Sequence, residues 1–228
     1  MRMHKLDRAT TPTCLDAYDH QTQSWDDLGG DCKREIRTRL CAMQGRPVPE
    51  AGDQVSGVRC AYCEAVIHDG GHIEHFRRKN PVLGFPELTF SWENLFLSCD
   101  DKGHCGHFKD RKGAPVYNPD LLIKPDELDP KGFLYFHSSG EVRPRAGLPQ
   151  EEERRAEVTI RIFGLNEGAL PYARARAVNA YRQRKEEEFE ELASWSEDLR
   201  QEYFHQEIEE TRWDPFATTI WHFLQRLP

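Results

Sequence analysis

The sequence predicts an α+β protein in which a small zinc-held hairpin-and-helix core is embedded in a mostly helical domain. Two observations carry this. Four of the seven cysteines form two pairs, Cys60 with Cys63 at CxxC spacing and Cys99 with Cys105, a set suited to one tetrahedral zinc held by four thiolates. Most of the apolar pattern outside residues 60–112 recurs at helical spacing. The stretch between the cysteine pairs is too short to bury a core of its own, so the metal is expected to be structural and to pin a hairpin to the helix after it.

A chain of 228 residues that is 38% hydrophobic and 11% aromatic can bury one good core or two small ones. We divide it into an N-terminal arm, helix and loop (1–58), the zinc core (59–113), an extended segment with a β-hairpin (114–165) and a C-terminal helical region (166–228). The first residues carry charges without an apolar run, and no later run reaches the length of a membrane span, so a cytoplasmic location is expected. There Cys14, Cys32 and Cys41 are expected to be free thiols. The net charge of −8 is unusual for a protein that handles phosphates, but residues 186–210 hold 11 acidic residues against one arginine, which leaves the remainder at +2. The acidic run reads equally as a solvated face or a docking surface for a protein partner.

Taken in order, residues 5–24 read as an ordered arm. A helix is expected from Asp31, with Ile36, Leu40 and Met43 on one face and Gly45 at its end. Residues 46–58 read as a loop. After the central stretch comes a proline-punctuated extended segment, then two short strands around Ser138, Ser139 and Gly140. Residues 151–163 favour a helix closed by Gly164, and a longer helical pattern from Leu170, with Pro171 in its first turn, extends an apolar stripe through Phe189, Leu192, Leu199 and Tyr203. The last helix is expected to be capped by Asp214 with Pro215 at its first position. No phosphate-binding glycine loop is present, which argues against ATP binding by this chain.

The chemistry lies between the cysteines. Phosphodiester hydrolysis needs a deprotonated water and a cation to offset charge growing on the phosphoryl group. At a strand end, the pleat sends Glu74 and His75 to opposite faces, so the carboxylate can take a metal while the imidazole meets water. Asn94 can either hold the loop that orients His75 or join the metal shell. His107 follows the last cysteine and can face back across the hairpin, and Arg77, Lys79 and Lys109 are candidate phosphate contacts. His68, His72 and His104 are expected to be surface or outer histidines.

These residues, read as C-x2-C, E-H, W-E-N-L and C-G-H-F-K-D in order, resemble the HNH (ββα-metal, treble-clef) nucleases. More narrowly, CAYCE, IEHFRRK, LTFSWENLFLSC, the upstream Trp25 and Gln44, GLNEGALPYARAR and FATTIWHFL resemble the PtuB-like HNH nuclease subunits of Septu and retron-associated antiphage systems. The resemblance implies a zinc at Cys60, Cys63, Cys99 and Cys105. It also implies His75 as general base and Glu74 as ligand of a catalytic magnesium or manganese. The implied partners are a PtuA-like ATPase of the ABC/SMC type that gates cleavage of nucleic acid, DNA sooner than RNA, and a retron reverse transcriptase with its DNA. The chain departs from the family where a histidine or asparagine often follows the last cysteine. Here that position is Gly106, so His107 is expected to be the second ligand, with Asn94 behind it. The alternative is a non-catalytic treble-clef zinc module that docks nucleic acid or a protein.

Overall fold

The computed structural model describes residues 5–48, 55–67, 71–82 and 84–227. In chain order the regular elements are α1 (Gly30–Gln44), β1 (Arg46–Pro47), β2 (Val55–Ser56), β3 (His72–His75), β4 (Leu95–Ser98), α2 (Cys105–Asp110), β5 (Leu134–Phe136), β6 (Val142–Pro144), α3 (Gln150–Ile162), α4 (Leu170–Arg184), α5 (Glu186–Glu191), α6 (Glu197–Glu210) and α7 (Ala217–Leu224). The strands form three separate antiparallel pairs, β1 with β2, β3 with β4 and β5 with β6. The expected mixture of helix and small hairpins is therefore present, with helix dominant. Among the described residues no helix is long and apolar enough to cross a membrane.

β4 is the middle layer, because its alternation buries both faces. Leu95 and Leu97 meet Ile36 and Leu40 of α1, together with Phe90 and Trp92. Phe96 faces the other way, into a cluster with Tyr62, Phe76 and Phe163 that continues to β5, β6 and α3. A third cluster seals the C-terminal helices, where Val178 and Tyr181 of α4 pack on Ile220 and Leu224 of α7. Gln44, at the end of α1, is the polar bolt of the first interface. Its amide accepts from Leu97 N (2.8 Å) and donates to Leu97 O (2.9 Å) and Arg59 O (2.7 Å), tying the helix to β4 and to the approach of the first cysteine. Arg8 does similar work for the arm, donating to the carbonyls of Trp92 (2.9 Å) and Leu95 (2.7 Å) and pairing with Asp126 (2.7 Å).

Several expectations need correction. Cys14 and Cys32 are not free thiols but a disulfide, because the turn at Thr13–Ala17 packs on the first turn of α1; Cys41 is free as expected. Residues 46–58 include the short ladder of β1 and β2 and not only loop. Leu199 does not continue the apolar stripe: the helix breaks after Glu191, α6 restarts at Glu197, and Leu199 is 47% exposed. α7 begins at Ala217, later than expected, with Phe216 in a left-handed conformation (φ 59°) ahead of it, so Asp214 and Pro215 lie outside the helix. Part of the acidic run is used internally. Glu207 is buried and accepts from Tyr181 (2.7 Å) and Lys185 (2.5 Å). Arg174, in the basic segment before it, is also buried, donating to Gly140 O and Leu165 O.

Replacing Gln44 with Leu keeps the volume but strands the Leu97 N–H and the Arg59 carbonyl in the interior, at a cost of about 2–3 kcal/mol. Urea denaturation of the zinc-loaded variant measures it, and an unchanged midpoint would show that Gln44 is not the bolt described.

Candidate metal centre and active site

The first cysteine pair sits in a tight turn in which Cys60 N donates to Ala65 O (2.9 Å) and Glu64 N to Cys60 O (3.2 Å). Glu64, in a left-handed conformation (φ 65°), turns its buried carboxylate to the Thr218 hydroxyl (2.5 Å) and N–H (3.2 Å) at the start of α7. Cys99 directly follows β4 and Cys105 begins α2, whose position is fixed by Cys105 N donating to Phe163 O (2.7 Å). The result is a buried group of four sulfurs within 4.8 Å of one another, which fits a metal such as zinc. His104 adds to the fit. Its Nδ1 lies 3.1 Å from Cys105 Sγ and 3.6 Å from Cys99 Sγ, so it is an outer partner of the thiolates and not a surface residue. Bonds from the Cys105, Cys60 and Cys63 thiols push the Cys99 thiol far down, while burial first, and the neighbouring thiols second, push Cys105 well up. A bound cation would relieve this conflict by accepting all four as thiolates.

β3 and β4 then carry the chemistry in register, with His72 opposite Ser98, Glu74 opposite Phe96 and His75 opposite Leu95. The pleat places His72 and Glu74 on the face covered by α2, and Ile73 and His75 on the face covered by α1 and the arm. Glu74 is buried with two partners, the Lys109 ammonium at 2.8 Å and His72 Nε2 at 3.0 Å. Burial alone would raise its pKa, but the attraction of Lys109 and the bond from His72 outweigh that and hold it near 2.

Lys109 is fully buried. Besides Glu74, it donates to His75 O (3.0 Å) and Asp110 (2.7 Å), so the expectation that it contacts phosphate fails: its ammonium is consumed inside the fold. Arg77 also points elsewhere than expected, paired with Asp120 at 2.6 Å. Lys79 is exposed and, among the described residues, in no ion pair.

Asn94 is a brace. Its Oδ1 accepts from Arg77 N (2.7 Å) and its Nδ2 donates to Arg77 O (2.9 Å) and Leu88 O (3.2 Å), which holds the loop after β3. His75 is 5% exposed, with Nε2 2.9 Å from the Thr89 carbonyl and its ring edge-on to Trp25 at 4.6 Å. Donation to that carbonyl places the proton on Nε2 and leaves Nδ1 as an acceptor. Thr89 and Trp25 also line a cleft of about 740 Å³ walled by Arg78, Lys79, Arg111 and Lys112, with the acids Asp26 and Asp110 among them. Arg78 is the anchored member of this wall, bonded to Asp110 (2.8 Å) and to the Lys109 carbonyl.

The residue that sequence reasoning set aside is His72. With Asp100 and His107 it forms a second group whose ligand atoms lie within 4.8 Å of one another. His107 does face back across the hairpin, stacking on the His72 ring at 4.0 Å. Gly106 is explained by the same packing, since a Cβ there would stand 2.8 Å from His72 Nε2 and 2.6 Å from Glu74 Cδ. The alternation H-I-E-H was the available signal, because it puts His72 and Glu74 on one face of a strand. His68 lies outside the described residues.

The fold and site thus define a mixed helix-and-hairpin protein with a buried four-cysteine group that could hold a metal and a histidine-rich cluster on its hairpin. Neither the family models nor the curated protein sequences searched give a match to this chain.

Burial, opposed by the Thr89 bond, lowers the His75 pKa from 6.5 to about 4. A histidine depressed in the fold contributes stability above its unfolded pKa and loses it as pH falls from 6.5 through 4, here up to about 3 kcal/mol. Imidazole ¹⁵N NMR should report the Nε2–H tautomer at neutral pH with no titration near 6.5, and a His75→Phe variant should lose stability less steeply over that window. A normal titration would contradict the buried, carbonyl-bound ring.

Proposed function

We propose that the chain is a metal-dependent endonuclease of the HNH type that hydrolyses phosphodiester bonds of nucleic acid. The observation that carries this reading is His75, a neutral imidazole with one free acceptor nitrogen, beside a buried carboxylate and next to a cleft walled by basic side chains. In that reading the hairpin β3–β4 followed by α2 is the ββα core, and the four cysteines are its structural zinc site.

Nδ1 of His75 takes a proton from water as the water oxygen bonds to phosphorus and the P–O bond to the leaving oxygen breaks. Lys79, Arg111 and Lys112 hold the flanking phosphates. Asn94 positions the loop, and Lys109 ties the His75 backbone to Glu74, linking the two faces of the hairpin. A divalent ion on the Glu74 side, with Glu74 as the ligand the resemblance implies and His107 as the second ligand expected in place of Gly106, would supply charge neutralisation at the phosphoryl oxygens.

The finer reading is a nuclease subunit of an antiphage complex gated by an ABC/SMC-like ATPase. It is supported by the sequence resemblance and by the acidic exposed surface of α5 and α6, which suits a protein partner better than nucleic acid. One observation favours the alternative of a non-catalytic zinc module: His75 lies under Trp25 and reaches little solvent.

Cleavage of plasmid DNA and of total RNA in magnesium or manganese, with and without an ABC/SMC-type ATPase, separates the two. On the nuclease reading His75→Ala lowers cleavage about 10²–10⁴-fold with zinc content unchanged. Equal cleavage by variant and wild type, or none from the zinc-loaded protein with its partner present, leaves the binding module.

A further inference from the structure

The second histidine cluster differs from the ligand pair expected from the sequence, Glu74 and His107, and its contacts say how. His72 Nδ1 lies 3.3 Å from Asp100 Oδ1, and His107 Nε2 lies 3.6 Å from the same oxygen. Ligands at about 2.0–2.1 Å from a tetrahedral ion stand about 3.3 Å apart, so this spacing matches a metal's donor set. The other His72 nitrogen, Nε2, is 3.0 Å from Glu74 Oε2. Glu74 is itself immobilised by buried Lys109 at 2.8 Å, so one of its oxygens is neutralised by the ammonium and the other accepts the His72 Nε2–H.

With Nε2–H given to Glu74, Nδ1 is the nitrogen that faces Asp100, and it offers its lone pair to a cation that displaces its own proton. A carboxylate behind a histidine is the arrangement that orients metal-binding imidazoles. Asp100 is oriented too, its second oxygen accepting from Gly71 N at 3.1 Å. Gly106 completes the design, since a side chain there would collide with both His72 and Glu74.

We infer that His72 Nδ1, Asp100 Oδ1 and His107 Nε2 form a divalent transition-metal site in which Glu74 is the outer partner of His72 and not a ligand. Two imidazoles and a carboxylate select manganese, cobalt, nickel or zinc over magnesium, which prefers oxygen and an octahedral shell. The Asp100 and His107 side chains are 61% and 41% exposed, so the three protein ligands leave open positions for water and a phosphate oxygen. This deepens the nuclease reading by naming the seat of its ion, but binding can be tested without cleavage.

The test is Mn²⁺ binding to the full zinc-loaded chain, followed by the electron paramagnetic resonance signal of free Mn²⁺, since manganese leaves the thiolates to zinc. Wild type should bind one Mn²⁺ per chain, and Mg²⁺ should compete at least tenfold more weakly. Asp100→Ala and His107→Ala, both at exposed side chains, should each weaken binding at least tenfold while far-ultraviolet circular dichroism and zinc content stay unchanged. Glu74→Gln should weaken it about 10–100-fold. Absence of Mn²⁺ binding to wild type, undiminished binding in the Asp100→Ala/His107→Ala double variant, or equal affinity for Mg²⁺ would overturn the inference. Binding as expected in a protein that cleaves nothing would sink the nuclease reading and leave the site standing.

Discussion

Everything around the hairpin depends on the convergence of four cysteine sulfurs. They come from a turn, a strand end and a helix start, three pieces that meet in one buried cluster through Tyr62, Phe96 and the cysteines themselves. Burying four sulfurs this close is unfavourable unless a cation neutralises them, so a bound metal and the local fold stabilise each other. Once Cys99 and Cys105 are held together, α2 must lie across β3 and β4. That placement brings Lys109, Gly106 and His107 over the strand face that carries His72 and Glu74. The four-cysteine group is structural in this sense, since it sets the geometry of the candidate site beside it.

The second constraint is one buried ammonium. Lys109 satisfies a carboxylate on one face of β3 and a backbone carbonyl at its end, so Glu74 is held ionised without meeting solvent. Removing either member of such a pair leaves an uncompensated charge inside the protein, and the pair therefore specifies arrangement more than it adds stability. His75 is set from the opposite side, by the Thr89 carbonyl and by Trp25 of the arm. The arm is fastened in turn by Arg8 and by the Cys14–Cys32 disulfide. The candidate base and the candidate ion seat are thus held by different parts of the chain, with Lys109 as the link between them.

Legibility followed physical range. Helices α1, α3 and α4 could be placed from apolar spacing, glycine ends and a first-turn proline, because those signals act within one or two turns. The hairpin of β5 and β6 was equally readable from its turn residues. Leu199 and the start of α7 were misread because a helical stripe continues on paper across a break between helices at residues 192–196, and because Phe216 adopts a conformation that no propensity favours. Lys109 looked like a phosphate contact since charge in sequence says nothing about burial. His72 looked peripheral because its partners, Asp100 and His107, lie 28 and 35 positions away and only register brings them near.

By itself the sequence determined the mixed helix-and-hairpin class and the pairing of cysteines in a set that could hold a metal. Both rest on short-range facts, the spacing of apolar residues and the spacing of thiols. Tertiary structure alone decided which carboxylate faces which imidazole, that Lys109 is consumed by Glu74, that Asn94 braces a loop, and that two cysteines outside the metal group are joined. Each of these depends on the register of β3 against β4 and on the docking of α2 and the arm. Long-range packing determines those relations, and no local pattern of residues encodes them.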